Sequence, residues 1–366
     1  MAVINDLVTD QRVDKTCTAL TEAGYDVTLI GRLLPGSKPV SRNYKTSRMR
    51  LLFRKKAVFY AEYNVRLLFK LLFSRANMFY SNDVDTLPAC AIAAKLRRKK
   101  LFFDAHELFS EVPELVCRGR VKRVWQWVER HFIPCVDGAM TVCQSVADEY
   151  RNVTGVRMDV VRNLALYNPV PATKPAESIP RILLYQGAVN IGRGIDWLIE
   201  AMGYLEGYSL VIAGDGDVLD EMKALAKQKP WAERIVFLGR VVPDELHKLT
   251  KTASLGMVLL ENMGLNYYYS LPNRVGDFLQ AGVPIVATDF PEIASVVNKY
   301  STGSIIGNDA KRPRLLAEAI KNAVAHWDAM PADEYAKVFE RAKRDLCWEN
   351  EKKVFLKLID TIFSQK

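Results

Sequence analysis

Along the chain, short apolar runs of β type alternate with stretches whose apolar positions recur at the three- and four-residue spacing of a helix. In the first half this pattern predicts strands at 2–4, 26–30, 49–53, 78–80, 101–104, 139–142 and 159–161. Helices are predicted between them near 11–23, 57–74, 85–98, 120–134 and 144–152. The polar, Pro-bearing stretch NPVPATKPAESIP at 168–180 has the composition of a linker. Beyond it the alternation restarts, with strands at 182–185, 209–213, 235–238, 255–260 and 284–288. The intervening helices fall at 194–204, 217–228, 243–250, 273–281 and 291–299. The last fifty residues read as helical, with Val354, Phe355, Leu358 and Ile362 forming one apolar set. The expected fold class is therefore α/β: two Rossmann-like, doubly wound parallel-sheet domains facing a cleft. Their expected bounds are 1–167 and 181–345, with 168–180 as linker and 346–366 a helix packing back toward the N-terminal domain.

A length of 366 residues fits two cores better than one. Charge is unevenly placed: residues 1–100 hold 19 Lys and Arg against 8 Asp and Glu, so the net +9 of the chain arises wholly there. Such asymmetry points to an anionic partner for that part. The six cysteines show no C-x-x-C spacing and mostly apolar neighbours, the usage of reduced core thiols in a cytoplasmic protein. Neither a basic-then-apolar leader nor a membrane-length apolar run is present, so membrane contact is expected to be peripheral at most.

Ligands of open α/β sheets bind outside the carboxyl ends of the strands, so chemistry is sought in the strand-to-helix loops. One loop, Tyr185 to Gly194, offers Gly187 for close backbone approach and Arg193 just before a helix start. A second, Ala213 to Asp217, carries Gly214 and Gly216 in a tight turn, with Asp217 placed to cap the next helix. The most informative is the third. Leu271-Pro272-Asn273-Arg274 leads into a helix that Gly282-Val283-Pro284 ends before the strand Ile285-Val286-Ala287. Pro272 and Asn273 shape that helix start, whose free amides suit a diphosphate. Asp277 lies one turn on, on the face of Asn273, where a carboxylate can hold ribose hydroxyls.

The run YYYSLPNRVGDFLQAGVPIVATDFPEI closely resembles the donor segment of retaining GT-B glycosyltransferases of the group 1 and family 4 type. YQGAVNIGRGID, LVIAGDGD, IVFLGRV and the early FDAHE follow in that family's order, and the resemblance spans nearly the whole chain. It implies a hexosyltransferase of bacterial surface-polysaccharide type that moves a sugar from UDP- or GDP-sugar to a glycan or lipid-linked acceptor. Carried over, Arg193 clamps the donor diphosphate, and Asp277 takes the place of a ribose-binding Glu. Leu271, Pro272 and Asn273 contact the diphosphate, Gly239 to Val241 pack the base, and Gly187, Asn190, Gly214 and Ser270 complete the donor set. Two departures stand out. Ala188 occupies the place of the usual first basic residue, and Tyr269 that of the first Glu in a Glu-x7-Glu pair. Asn190 and Arg274 are the candidates to compensate. In this family the leaving diphosphate itself assists deprotonation of the acceptor, so neither cofactor nor metal is implied.

In the N-terminal half the comparable loop is Asp104-Ala105-His106-Glu107, where His106 with flanking carboxylates is a candidate proton shuttle or sugar ligand. Asp104, His106 and Arg193 form the catalytic set. Thr9 and Asp10, after the first strand, are acceptor candidates, with capping of the next helix as the other use of Asp10. The strings Asp83-Val84-Asp85 and Asp215-Gly216-Asp217 both stand at predicted helix starts and read as caps rather than a metal site. The basic surplus concentrates at 42–75, with ten Lys and Arg against Glu62 alone. Glu62, Arg66 and Lys70 form a stripe flanked by Phe59, Phe69 and Phe73, with Leu67, Leu68, Leu71 and Leu72 opposite. Near 120–134, Arg120, Arg123, Trp127 and Arg130 share a face opposite Val121, Val128 and Phe132. Basic residues mixed with aromatics fit peripheral binding to an anionic bilayer at the inner face of the plasma membrane. No nucleic-acid recognition module is recognisable. Within the same fold, the other readings are a sugar-nucleotide 2-epimerase and a non-catalytic scaffold.

Overall fold

Two sheets of the same winding organise the protein in a computed structural model that describes residues 1–8, 10–116, 118–174 and 180–364. The chain divides into two units, 1–163 with 351–366, and 164–350.

In the first unit, β1 (Thr28–Arg32) pairs in parallel with β2 (Lys45–Met49). A four-stranded parallel sheet runs β3 (Met78–Asn82), β4 (Lys100–Ala105), β5 (Gly138–Thr141), β6 (Asp159–Val160). The expected first strand is a single bridge residue: Ala2 pairs with Ile30 on one side and Ser81 on the other, joining the two groups. The resulting order places the chain reversal of a doubly wound sheet between the Ala2 segment and β3.

The final helix, Trp348–Ser364, returns to this unit, as expected. Phe355, Ile359 and Ile362 are its buried stripe, while Val354, expected in the core, is largely exposed. Gly138 is needed here, because a Cβ on it would lie 2.3 Å from Ile362. Tyr25 donates to Asp360 at 2.6 Å, and Glu351 accepts from the Arg162 amide at 2.8 Å.

The second unit holds one six-stranded parallel sheet. Its strands are β7 (Arg181–Gln186), β8 (Tyr208–Ala213), β9 (Ile235–Gly239), β10 (Leu255–Val258), β11 (Ile285–Thr288) and β12 (Gly303–Ile306). The order β12-β11-β10-β7-β8-β9 puts the switch point between β7 and β10. The central strands are near-continuous apolar runs because helices cover both faces. β12 escapes the apolar pattern because Gly303 and Ser304 make half of it.

The stretch expected as a linker is docked along this unit where it is described. Asn168 donates twice to Gln280, from its amide to the side-chain Oε1 and from Nδ2 to the backbone carbonyl, and Ala172 is buried against Gly282, where a Cβ would approach to 2.6 Å. Residues 175–179 of that stretch lie outside the described residues. Cys17, Cys90, Cys143 and Cys347 are buried, Cys135 is exposed, and Cys117 lies outside the described residues.

Candidate functional site

The switch point of the second unit gathers the loops after β7 and β10. Gly187 follows β7 at φ +122°, and a Cβ on Gly214 would lie 1.8 Å from the Gly187 carbonyl oxygen, so the first two loops meet backbone to backbone. Asn190 ties them, its Oδ1 accepting from the Asp217 amide at 3.2 Å. Asp215 accepts from the amide of Gly216, and the helix Leu219–Lys227 begins after Val218 without a side-chain cap. Asp217 therefore does not cap this helix. The turn is held by Asn190 instead.

Two guanidinium groups converge here. Arg193 lies over the Tyr267 ring at 4.5 Å, with its Nε buried and unpartnered. Arg274, in the first turn of the helix Asn273–Ala281, lies over the Tyr185 ring at 4.7 Å and is 6% exposed. Its terminal N–H groups reach the carbonyls of Gln186 and Leu259 at 3.4 and 3.5 Å, the long limit of a hydrogen bond. Its Nε has no partner. Burial lowers the Arg274 pKa, the Tyr185 phenol opposes this, and the nearby positive Arg193 lowers it further. Among the described residues no carboxylate pairs with Arg274 or Arg193. A buried cation without a counter-ion costs several kcal/mol, so the site is prepared for an anion.

The helix supplies more. Pro272 precedes it without a side-chain cap, leaving first-turn amides available. Asp277, one turn in, accepts from Gln186 Nε2 at 3.3 Å, and Gln186 is in turn held by Thr250 at 2.9 Å. Ser270 spends its hydroxyl on the Tyr267 carbonyl. Leu271 and Pro272 are half-buried and Asn273 is exposed. Gly239 ends β9 at φ +66°, beside Ala213 of β8, and Val241 packs partly against the core. Ala188 is exposed, and its carbonyl accepts from Tyr185. Arg274 is the residue that loop-by-loop reading undervalued. The signal was available: a cation in a helix's first turn opposes the macrodipole and needs a reason to be there.

The first unit arranges charge differently. Asp104 is fully buried and bound by Arg12 through Nε and Nη2, at 2.6 Å for the shortest contact. Tyr80 donates to it at 3.0 Å. Burial would raise its pKa, but Arg12 and His106 hold it far below the usual carboxylate range. Asp104 thus sits in a buried ion pair with Arg12. His106 Nδ1 lies 3.1 Å from Asp83, and Nε2 lies 3.3 Å from Asp104 without hydrogen-bond geometry. Burial alone would lower the His106 pKa, but Asp83 and Asp104 raise it to about 9. The two carboxylates favour the protonated imidazole.

Neither member of the Asp83-Val84-Asp85 string caps a helix: Asp83 accepts from the His106 amide at 2.8 Å, and Thr86 stands at the helix start. Together with the uncapped start at Val218, this corrects the capping expectation for both strings. Among the described residues, no group of three His, Cys, Asp or Glu side chains is gathered as for a metal. Asp10 does cap its helix, accepting from Val13 at 3.0 Å, and its other oxygen accepts from Asn5 at 2.6 Å. Thr9 lies outside the described residues.

On the basic helices, Phe59 is buried, not flanking: it belongs to the buried stripe that also holds Tyr63, Leu67 and Leu71. Phe69 and Phe73 are 59% and 85% exposed, while Arg66 pairs with Glu62 and Lys70 with Ser47. Trp127 is 53% exposed beside Arg123, with Arg130 exposed a turn on and Val121 exposed as well. Among the described residues no helix is long and apolar enough to cross a membrane.

Residues 10–164 match the family Glycosyltransferase Family 4, and residues 180–326 match Glycosyl transferases group 1. A curated relative, an uncharacterized glycosyltransferase of Methanocaldococcus jannaschii, is 28% identical over 179 residues, which are 46% of this chain and 42% of the relative. The chain thus spans about two fifths of that relative's length. Sucrose-phosphate synthase of Thermosynechococcus elongatus superposes with a TM-score of 0.81 at 17% identity, over 100% of this chain and 98% of the other. The Anabaena HepE complex with UDP-glucose gives 0.74 at 12% identity, over 98% of both chains. At these identities the likeness establishes the fold, which is GT-B.

Proposed function

We propose, from the match of residues 10–164 to Glycosyltransferase Family 4 and of residues 180–326 to Glycosyl transferases group 1, that the protein transfers a hexose from a UDP- or GDP-sugar to a glycan or lipid-linked acceptor. The observation that carries this reading is the Arg193–Arg274 pair, two cations without a carboxylate at the switch point of the second sheet. In the reaction the bond from the anomeric carbon to the diphosphate breaks, and negative charge grows on the departing phosphate. Two preorganised guanidinium groups and first-turn amides of the helix Asn273–Ala281 stabilise that charge with little reorganisation. Arg274 supplies from the helix the second positive charge that Ala188 does not. Asp277, oriented by Gln186, receives the ribose hydroxyls, and Gly214, Gly239 and Val241 border the base. The sugar is transferred with retention, the leaving phosphate taking the acceptor proton on the same face.

HepE was solved with UDP-glucose, which supports a nucleotide-sugar donor. The test is a thermal-unfolding screen against UDP-, GDP- and ADP-sugars: the cognate donor at about 100 times its Kd adds roughly 2.7 kcal/mol to native stability. Release of nucleoside diphosphate from that donor must then depend on Arg193 and Arg274. If none of the three classes shifts the transition, the donor reading falls.

The exposed Phe69, Phe73 and Trp127, interleaved with Lys70, Arg123 and Arg130, support peripheral attachment to an anionic bilayer, where a lipid-linked acceptor resides. Cosedimentation with phosphatidylglycerol vesicles at low salt tests this attachment. Protein remaining wholly in the supernatant contradicts it.

A further inference from the structure

A second group of arginines lies in the first unit, at the carboxyl ends of β1 and β2. Arg32 is the last residue of β1, paired in register with Met49, the last of β2, and Arg50 follows directly. These two and Arg54 line a cavity of about 420 Å³ together with Ser37, Phe53 and Phe59. That volume lies within the ~300–1,000 Å³ usual for small-molecule sites. No acidic side chain lines it.

The arginines are left uncompensated by the way the loop is built. Glu62, the one acid between residues 42 and 75, accepts from the amides of Leu52 and Phe53 at 2.9 and 2.8 Å and pairs with Arg66 at 2.8 Å. It therefore fixes the loop carrying Arg54 without neutralising it. Arg48 donates to Ser37 and to the Lys38 carbonyl, which fixes the opposite wall. Arg32 lies over the buried Phe59 ring at 4.9 Å, and its Nε is buried without a partner. Asp85 is the acid nearest to Arg32 in effect, and burial, with Asp83 adding to it, pushes that carboxyl well above the ordinary range. Among the described residues, Arg50 and Arg54 have no ion-pair partner.

We propose that this cavity is a binding site for a phosphate monoester or diphosphate, gripped by Arg32, Arg50 and Arg54. Planar guanidinium groups at strand ends suit bidentate contact with phosphate oxygens. The further assignment, that the bound phosphate belongs to the acceptor, rests on the transfer reading above; the anion site itself does not.

Calorimetric titration with inorganic pyrophosphate tests the site, using Arg193→Ala protein as parent so that the second-unit site contributes little. Replacing both exposed arginines, Arg50→Gln with Arg54→Gln, is expected to weaken binding by about 30-fold or more, while the double Lys variant, which keeps the charge but not the bidentate fork, recovers only part of it. The unfolding midpoint should not move, because both side chains are solvent-facing. Equal affinity in parent and Gln variant overturns the site. Vesicles of phosphatidylcholine carrying phosphatidic acid, against phosphatidylglycerol as a diester control, separate the sources. Arginine-dependent capture by phosphatidic acid vesicles assigns a lipid headgroup, whereas pyrophosphate binding alone assigns a soluble phosphorylated ligand. In the same Gln variant, on otherwise native protein, the shift produced by the nucleotide-sugar should persist. Loss of that shift in every protein, with arginine-dependent pyrophosphate binding retained, keeps the anion site and removes the transfer reading.

Discussion

The end of β4 in the first unit and the switch point of the second treat buried charge in opposite ways. Around β4 in the first unit, Asp104 is matched by Arg12, and His106 by Asp83 and Asp104. At the switch point of the second, Arg193 and Arg274 face each other's fields with aromatic rings and carbonyls for company. A matched buried network rigidifies, and breaking it is costly. An unmatched buried cation destabilises the empty protein and is retained for what it binds. The difference separates scaffolding charge from ligand-seeking charge, although both motifs look equally loaded as sequence.

The largest effect should come from breaking the matched side. Asp104→Asn leaves Arg12 buried without its carboxylate and is expected to cost about 3–5 kcal/mol in urea unfolding, with a loss below 1 kcal/mol contradicting the scaffold role. The unmatched side should respond inversely. Arg274→Met is expected to leave unfolding stability unchanged or higher while cutting nucleoside diphosphate release by about 10²–10³-fold, and Arg193→Ala by about 10²-fold. Turnover that survives in Arg274→Met removes it from the diphosphate clamp.

Smaller and more diagnostic is the pH response of His106. Its folded pKa of about 9 exceeds the ordinary value near 6.5, so its stabilisation is complete below about pH 6.5 and is lost as pH rises through about 9. The total is up to ~3 kcal/mol. Subtracting the pH profile of His106→Gln from that of the parent should isolate this decline, and parallel profiles would show that the imidazolium is not held. The smallest effect is expected at Asp277→Ala, a roughly tenfold rise in KM for the donor, about 1.4 kcal/mol, with little change in kcat. A fall in kcat with KM unchanged would assign Asp277 to the transition state instead.

Much of this was legible in the sequence. The 2-to-3.6 switch in apolar period located most of the strands and helices, since burial of one face forces that period wherever the element lies. The loops at 187–194, 213–217 and 270–277 were also legible, because glycine, Pro-Asn and Arg have local conformational or charge reasons to occupy strand-to-helix turns. β12 was not, since Gly303 and Ser304 dilute its pattern. The 168–174 segment was misread as a linker because its polar composition hides the packing of Ala172 on Gly282.

The sequence by itself determined the alternation of elements, the basic surplus of residues 1–100 and the family likeness, all of which are local or additive properties of the chain. Only the tertiary structure decided which charges are spent. Arg12 and Asp104 are 92 residues apart, and Arg193 meets the field of Arg274 only because β7 and β10 are neighbours in the sheet. Pairing and desolvation depend on distances across the fold, so spacing along the chain did not reveal that Asp104 is paired with Arg12 in the core or that Arg274 is buried with no carboxylate paired to it among the described residues.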